Sequence, residues 1–64
     1  MEWLIKSAEQ GDADAQYWVG IHYEIGICVD KDSKKAREWL LKAAENGSID
    51  ALNTLAHIDK HTVV

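Results

Sequence analysis

Residues 2–15, EWLIKSAEQGDADA, return as residues 38–51, EWLLKAAENGSIDA, and this repetition limits the possible folds more than any other feature of the chain. At an offset of 36 the two segments share Glu2/Glu38, Trp3/Trp39, Leu4/Leu40, Lys6/Lys42, Ala8/Ala44, Glu9/Glu45, Gly11/Gly47, Asp14/Asp50 and Ala15/Ala51. That is nine identities in fourteen positions, and the mismatches Ile5/Leu41, Ser7/Ala43 and Gln10/Asn46 are mild. A period in the thirties is the size of a helical hairpin that stacks on copies of itself. At that period 64 residues hold about 1.8 copies of one unit. One domain is expected, divided as 1–11, 12–47 and 48–61, with 62–64 as a tail.

Four helices follow from periodicity and punctuation. In the third, Ala36, Trp39, Leu40, Ala43 and Ala44 fall at i, i+3, i+4, i+7 and i+8, one apolar stripe. Asp32 or Ser33 can cap its start, and Gly47 can take the left-handed conformation beyond its end. The first helix, roughly 1–10, is the same element with Trp3, Leu4, Ser7 and Ala8 on the stripe, stopped by Gly11. The second, about 13–25, is capped by Asp12, turns Ala15, Val19, Tyr23 and His22 inward, and ends at Gly26. The fourth, about 49–60, is capped by Ser48 and carries Leu52, Leu55, Ala56 and Ile58. No segment alternates with period two, so no strand is expected. Gly20 lies inside the second helix, where glycine costs about 1 kcal/mol against alanine. Close approach of a neighbouring helix, with alanines of the third helix as the matching surface, is the expected reason. Val29 is expected to plug the hairpin from outside.

Composition narrows the function. A chain this short sits near the lower limit for independent folding and has no room for a cofactor-sized interior cavity, so no cofactor is expected. One cysteine allows no internal disulfide, which suits a reducing compartment. The net charge of −4 and pI near 5.1 argue against nucleic-acid or anionic-membrane partners. No apolar run approaches the ~20 residues of a membrane span. The start, MEWLIKSAEQ, has neither the basic end nor the apolar core of a signal peptide, so a cytoplasmic location is expected.

The string from Ala15, AQYWVGIHYEIGICVDKDSKKAREWLLKAAENG, resembles the Sel-one-like repeat (SLR) family, relatives of the tetratricopeptide repeats. The matching positions on the first helix of the unit are Ala15, Val19-Gly20, Tyr23 and Gly26. In the loop they are Gly26, Val29 and Asp32, and in the second helix Lys35-Ala36, Trp39, Lys42 to Glu45 and Gly47. Cys28 replaces a loop glycine, and in the last helix Ala56 and Asp59 replace the helix glycine and the tyrosine. The final unit is thus degenerate. The resemblance implies an all-α, right-handed α-α solenoid, and membership of a family of adaptor scaffolds, many of them bacterial. By related repeats it implies partner contacts on the concave face, carried here by Asp14, Tyr17, Ile21 and Glu24, then by Asp50, Asn53, His57 and Lys60.

Other chemistry is weak. His57 and His61 stand at i, i+4 but fall short of the three or four ligands of a zinc site, and histidines near a helix end are the simpler account. His22 is expected to be a half-buried packing residue. Cys28 is expected to fill the loop as a small hydrophobe, since no second cysteine is available to it. Asp12, Asp14, Glu24, Asp30 and Asp32 occupy caps and loops and form no acid–base pair, so no enzyme is expected. Trp3 and Trp39 belong to the core by phase. Trp18 clusters with Tyr17 and Ile21 off the stripe, where an exposed aromatic patch would suit an interface. Packing of Trp18 on the first helix is the favoured account. Tyr17 and Ile21 lie off the stripe as contact residues.

The expected function is non-enzymatic recognition of a protein or peptide on the concave face. A structural capping or assembly element is the alternative. With Asp14, Glu24 and Asp50 against one lysine on that face, the partner is expected to carry basic residues. The apolar surfaces left open on the first and fourth helices also suit head-to-tail self-association.

Overall fold

A computed structural model of the chain describes the backbone of residues 2–62 and the side chains of residues 2–58. Its elements are α1 (Glu2–Glu9), α2 (Ala13–Ile25), α3 (Ser33–Glu45) and α4 (Ile49–Thr62), with no strand among the described residues. Two turns of one kind separate α1 from α2 and α3 from α4. In the first, Gly11 takes φ 95°, its N–H donates to Ala8 O at 3.1 Å, and Asp12 N donates to Ser7 O at 3.3 Å. In the second, Gly47 takes φ 102°, with Gly47 N to Ala44 O at 3.1 Å and Ser48 N to Ala43 O at 2.9 Å. This pairing satisfies the orphan carbonyls of a helix end, and its positive φ favours glycine. The residue after each glycine then starts the next helix. Asp12 Oδ1 accepts from Asp14 N and Ala15 N at 3.0 and 3.3 Å, and Ser48 Oγ accepts from Ala51 N at 3.2 Å.

The α2–α3 connection is longer and differs in kind. Gly26 ends α2 at φ 85°, and Asp32, rather than Ser33, caps α3 by accepting from Lys35 N at 3.1 Å. Asp32 N donates to Tyr23 O at 3.0 Å, tying the loop back to α2. Cys28 is exposed and stands at φ 64°, a left-handed conformation that costs a side-chain-bearing residue roughly 1–2 kcal/mol. It therefore does not fill the loop as expected. It holds a backbone position suited to glycine.

Each helix packs on its chain neighbours, giving the stacked helical hairpins of an α-α solenoid, 36 × 26 × 13 Å across its Cα atoms. The core is the same cluster made twice. Ala8, Ala15 and Val19 form one copy, with Leu4, Ile5, Tyr23 and Trp39 against it. Leu40, Ala43, Ala51 and Leu55 form the other, with Tyr17, Ala44 and Ile58 against it. At the offset of 36, Ala8, Ala15 and Val19 correspond to Ala44, Ala51 and Leu55. Between the clusters runs the α2–α3 contact. A Cβ on Gly20 would lie 2.7 Å from Leu40 Cγ and 3.2 Å from Ala36 O, so glycine is needed for the helices to meet. The partner surface is the Leu40 side chain and the Ala36 carbonyl, not alanine side chains alone.

Three core expectations change. Trp3 is 76% exposed, because among the described residues no helix lies over the face of α1 that α3 presents to α2. Tyr17 is half-buried against the Leu40 cluster, so it belongs partly to the core. Gln16, which periodicity passes over, is buried. Its Nε2 donates to Ala8 O at 2.9 Å and its Oε1 accepts from Asn46 Nδ2 at 2.9 Å. One side chain thus links the two glycine turns and ties one unit to the next.

Candidate functional site

On α2 the buried residues Ala15, Gln16, Val19 and Gly20 fill one side of the helix. Opposite them, Asp14, Trp18, Ile21 and Ile25 follow at spacings of four, three and four, which lines them up along one face. Trp18 is 51% and Ile25 62% exposed, Ile21 is half-buried between them, and Asp14 is exposed at the amino end. The Tyr17 ring meets the Trp18 ring edge-on, with centroids 5.4 Å apart and planes at 66°. Since Tyr17 is itself seated on the core, it braces Trp18 from below. The result is an apolar ridge of one helix with an acidic end.

Stacking does not require this ridge. The buried positions Ala15/Ala51 and Val19/Leu55 are apolar in both copies. At the ridge, α4 has Asp50, Thr54, His57 and His61 in place of Asp14, Trp18, Ile21 and Ile25. The fold tolerates polar residues at these positions of α4. An exposed apolar patch with polar surroundings is the usual mark of an interaction surface.

The sequence-predicted contact residues divide as follows. Asp14 is exposed and Ile21 half-buried on the ridge, whereas Tyr17 supports it. Glu24 is half-buried, with Oε2 enclosed and unpaired, and so is set back from the surface. Asp50, Asn53 and His57 are exposed on α4, where Thr54 Oγ1 donates to Asp50 O at 2.8 Å. The side chains of Lys60 and His61 lie outside the described residues. Of the ridge residues, Ile25 is the one that sequence reasoning passes over, and Trp18, clustered with Tyr17 and Ile21 in the sequence, is more exposed than expected. Trp18 was expected to pack on the first helix, and Ile25 lies next to the helix-ending glycine. The 14, 18, 21, 25 spacing is the signal that finds both.

Two other surfaces carry apolar groups. Between α1 and α3 a groove of about 730 Å³ is lined by Ile5, Tyr23 and Trp39. Lysines cover its rings, with Lys35 Nζ 5.6 Å from the Tyr23 centroid and Lys42 Nζ 5.2 Å from that of Trp39. Between α3 and α4 a second groove, about 410 Å³, is lined by Leu41, Leu52, Leu55 and Ala56. Among the described residues no group of three or more His, Cys, Asp or Glu is placed to hold a metal ion. No helix among them is long and apolar enough to cross a membrane. His22 is half-buried as expected, and its Nδ1 is enclosed without a partner.

In comparisons with known proteins, the family model described as Sel1 repeat matches residues 1–12 and again residues 13–48, three quarters of the chain. No curated protein matches the chain, and no solved structure does.

Proposed function

The chain belongs to the Sel1 repeat family, and from that premise we propose that it recognises a protein partner along the exposed ridge of α2. Sel1 repeats generally serve as non-catalytic protein–protein interaction modules. The observation that carries the reading is the exposed Trp18–Ile21–Ile25 face, which packing between repeats does not call for. Tryptophan is among the residues that dominate interface energetics, and a ring already braced by Tyr17 loses little freedom on binding. The exposed α4 residues Asp50, Asn53 and His57 supply a polar continuation of the contact. Asp14 and Asp50 at matching positions, on a chain of net charge −4, suit a partner that sets an apolar anchor beside basic residues.

The test is affinity capture from cells of the source organism with two baits, the natural chain and a Trp18→Ala/Ile25→Ala variant. Both substituted positions are more than half exposed, so the variant keeps the helical circular dichroism of the natural chain. A protein recovered on the natural bait is expected to fall at least tenfold on the variant, and its capture to weaken with added salt. Equal recovery on a folded variant contradicts the assignment of the ridge.

A further inference from the structure

We infer that the groove between α3 and α4 is a seat for α1 of a second copy of this chain, so that copies join head to tail. The internal repeat, extended to packing, supports this seat. Within one chain, α3 lies on the surface made by α1 and α2, where Trp39 packs on Ala8, Ala15 and Val19 and Leu40 meets Gly20. Thirty-six residues later, α3 and α4 make the same kind of surface from Ala44, Ala51 and Leu55, flanked by Leu41 at the position of Ile5. Ala51 and Leu55 are already buried from within the chain, and the part of this surface left exposed is Leu41, Leu52 and Ala56. Leu41 is 49% and Leu52 58% exposed along the groove.

The occupant is indicated by the same repeat. α1 carries the sequence of α3, with Trp3 for Trp39 and Leu4 for Leu40. Leu40 is fully buried, whereas Leu4 is half-buried and Trp3 is 76% exposed. These α1 side chains match the ones that the α1–α2 surface accepts from α3 one unit earlier. Seating them on the α3–α4 surface continues the established α2–α3 contact from one molecule into the next. α4 places Leu52 where α2 has Gln16, which makes the groove more apolar than its counterpart one unit earlier. A contact between two different surfaces of one molecule is heterologous and extends into rings or open chains.

One residue limits the fit. Ala56 stands where Gly20 does, and a Cβ at Gly20 would be 2.7 Å from Leu40 Cγ. Leu4 of an incoming copy must therefore ride higher on α4 than Leu40 does on α2. The junction is shallower than the hairpin, and the association is correspondingly weak.

Sedimentation equilibrium of the 64-residue chain tests this between about 1 µM and 1 mM, the range of weak association. The average mass is expected to rise with concentration. Trp3→Ala removes the inserted side chain and Leu52→Glu charges the groove. Each is expected to shift the rise at least tenfold higher in concentration while leaving the helical signal unchanged, since both positions are exposed. Mixing the two variants restores one good junction, the Trp3→Ala groove with the α1 of Leu52→Glu, and the mixture stops at the dimer. Ala56→Gly, which removes the obstructing Cβ, is expected to move the rise several-fold lower. Trp18→Ala/Ile25→Ala leaves it where it is, which separates this contact from the ridge of α2. A natural chain that stays monomeric to 1 mM overturns the inference. So does a mixture of the two variants that associates no better than either alone, because only a head-to-tail contact is complemented in that way.

Discussion

Gly20 and Gln16 fix how α3 seats against α1 and α2, and each does so by an interaction that sequence pattern shows poorly. A glycine inside a helix signals close approach, but the sequence does not say to what. The structure answers with Leu40, whose Cγ would stand 2.7 Å from a new Cβ. Gly20→Ala gains roughly 1 kcal/mol of helix propensity yet forces a fully buried leucine to move, at a typical cost of about 1–3 kcal/mol. The expected outcome is a net loss, seen as a lower melting temperature by circular dichroism. An unchanged or higher melting temperature means that α2 and α3 do not approach this closely. Gln16 was illegible for a different reason. A polar residue at an inward position counts against burial in any periodicity argument, and its two partners, Ala8 O and Asn46 Nδ2, are distant in sequence. Cys28 shows the reverse case. The glycine expected from the family pattern at that position suits a φ of 64°, and Cys28 holds that conformation in its place.

The helices themselves were legible almost to the residue, because their ends are chemical. Asp12, Asp32 and Ser48 cap, and Gly11, Gly26 and Gly47 take positive φ. What periodicity cannot supply is the neighbour. The same heptapeptide-scale stripe puts Trp3 and Trp39 in phase, yet Trp39 has α1 and α2 to lie on while Trp3 is 76% exposed. Phase defines the face that would be buried, and only the presence of a neighbouring element buries it. The pair gives a sharp contrast. Trp39→Ala, at a half-buried site, should cost about 2 kcal/mol, less than the ~3–5 kcal/mol of a fully buried tryptophan. For a domain of this size that lowers the melting temperature by roughly 8–16 °C. Trp3→Ala, measured in dilute solution, should leave the melt within a few degrees of the natural chain. Equal effects at the two positions would mean that α1 is packed as α3 is.

One unit folds nearly twice in this chain, and its copies differ in ways that matter. Where the copies agree in apolar character, as at Val19/Leu55, residues hold the stack. Where they disagree, as at Trp18/Thr54 and Ile21/His57, the fold leaves the choice open and recognition can use it. The contact face was therefore legible in part. Helix phase and the resemblance to known repeats point to Asp14, Tyr17 and Ile21 for the proposed face, and of these Tyr17 is seated against the Leu40 cluster. The three tryptophans report on three surfaces: Trp3 on the face of α1, Trp18 on the ridge of α2, and Trp39 in the lysine-covered groove beside α1. The indole N–H resonances of the labelled chain, followed by NMR during titration with the captured partner, thus test the central claim directly. The account predicts that the Trp18 resonance shifts or broadens with partner while Trp39 holds its position, and that Trp3 responds to the concentration of the chain itself. A titration that moves Trp39 and leaves Trp18 unchanged would contradict it.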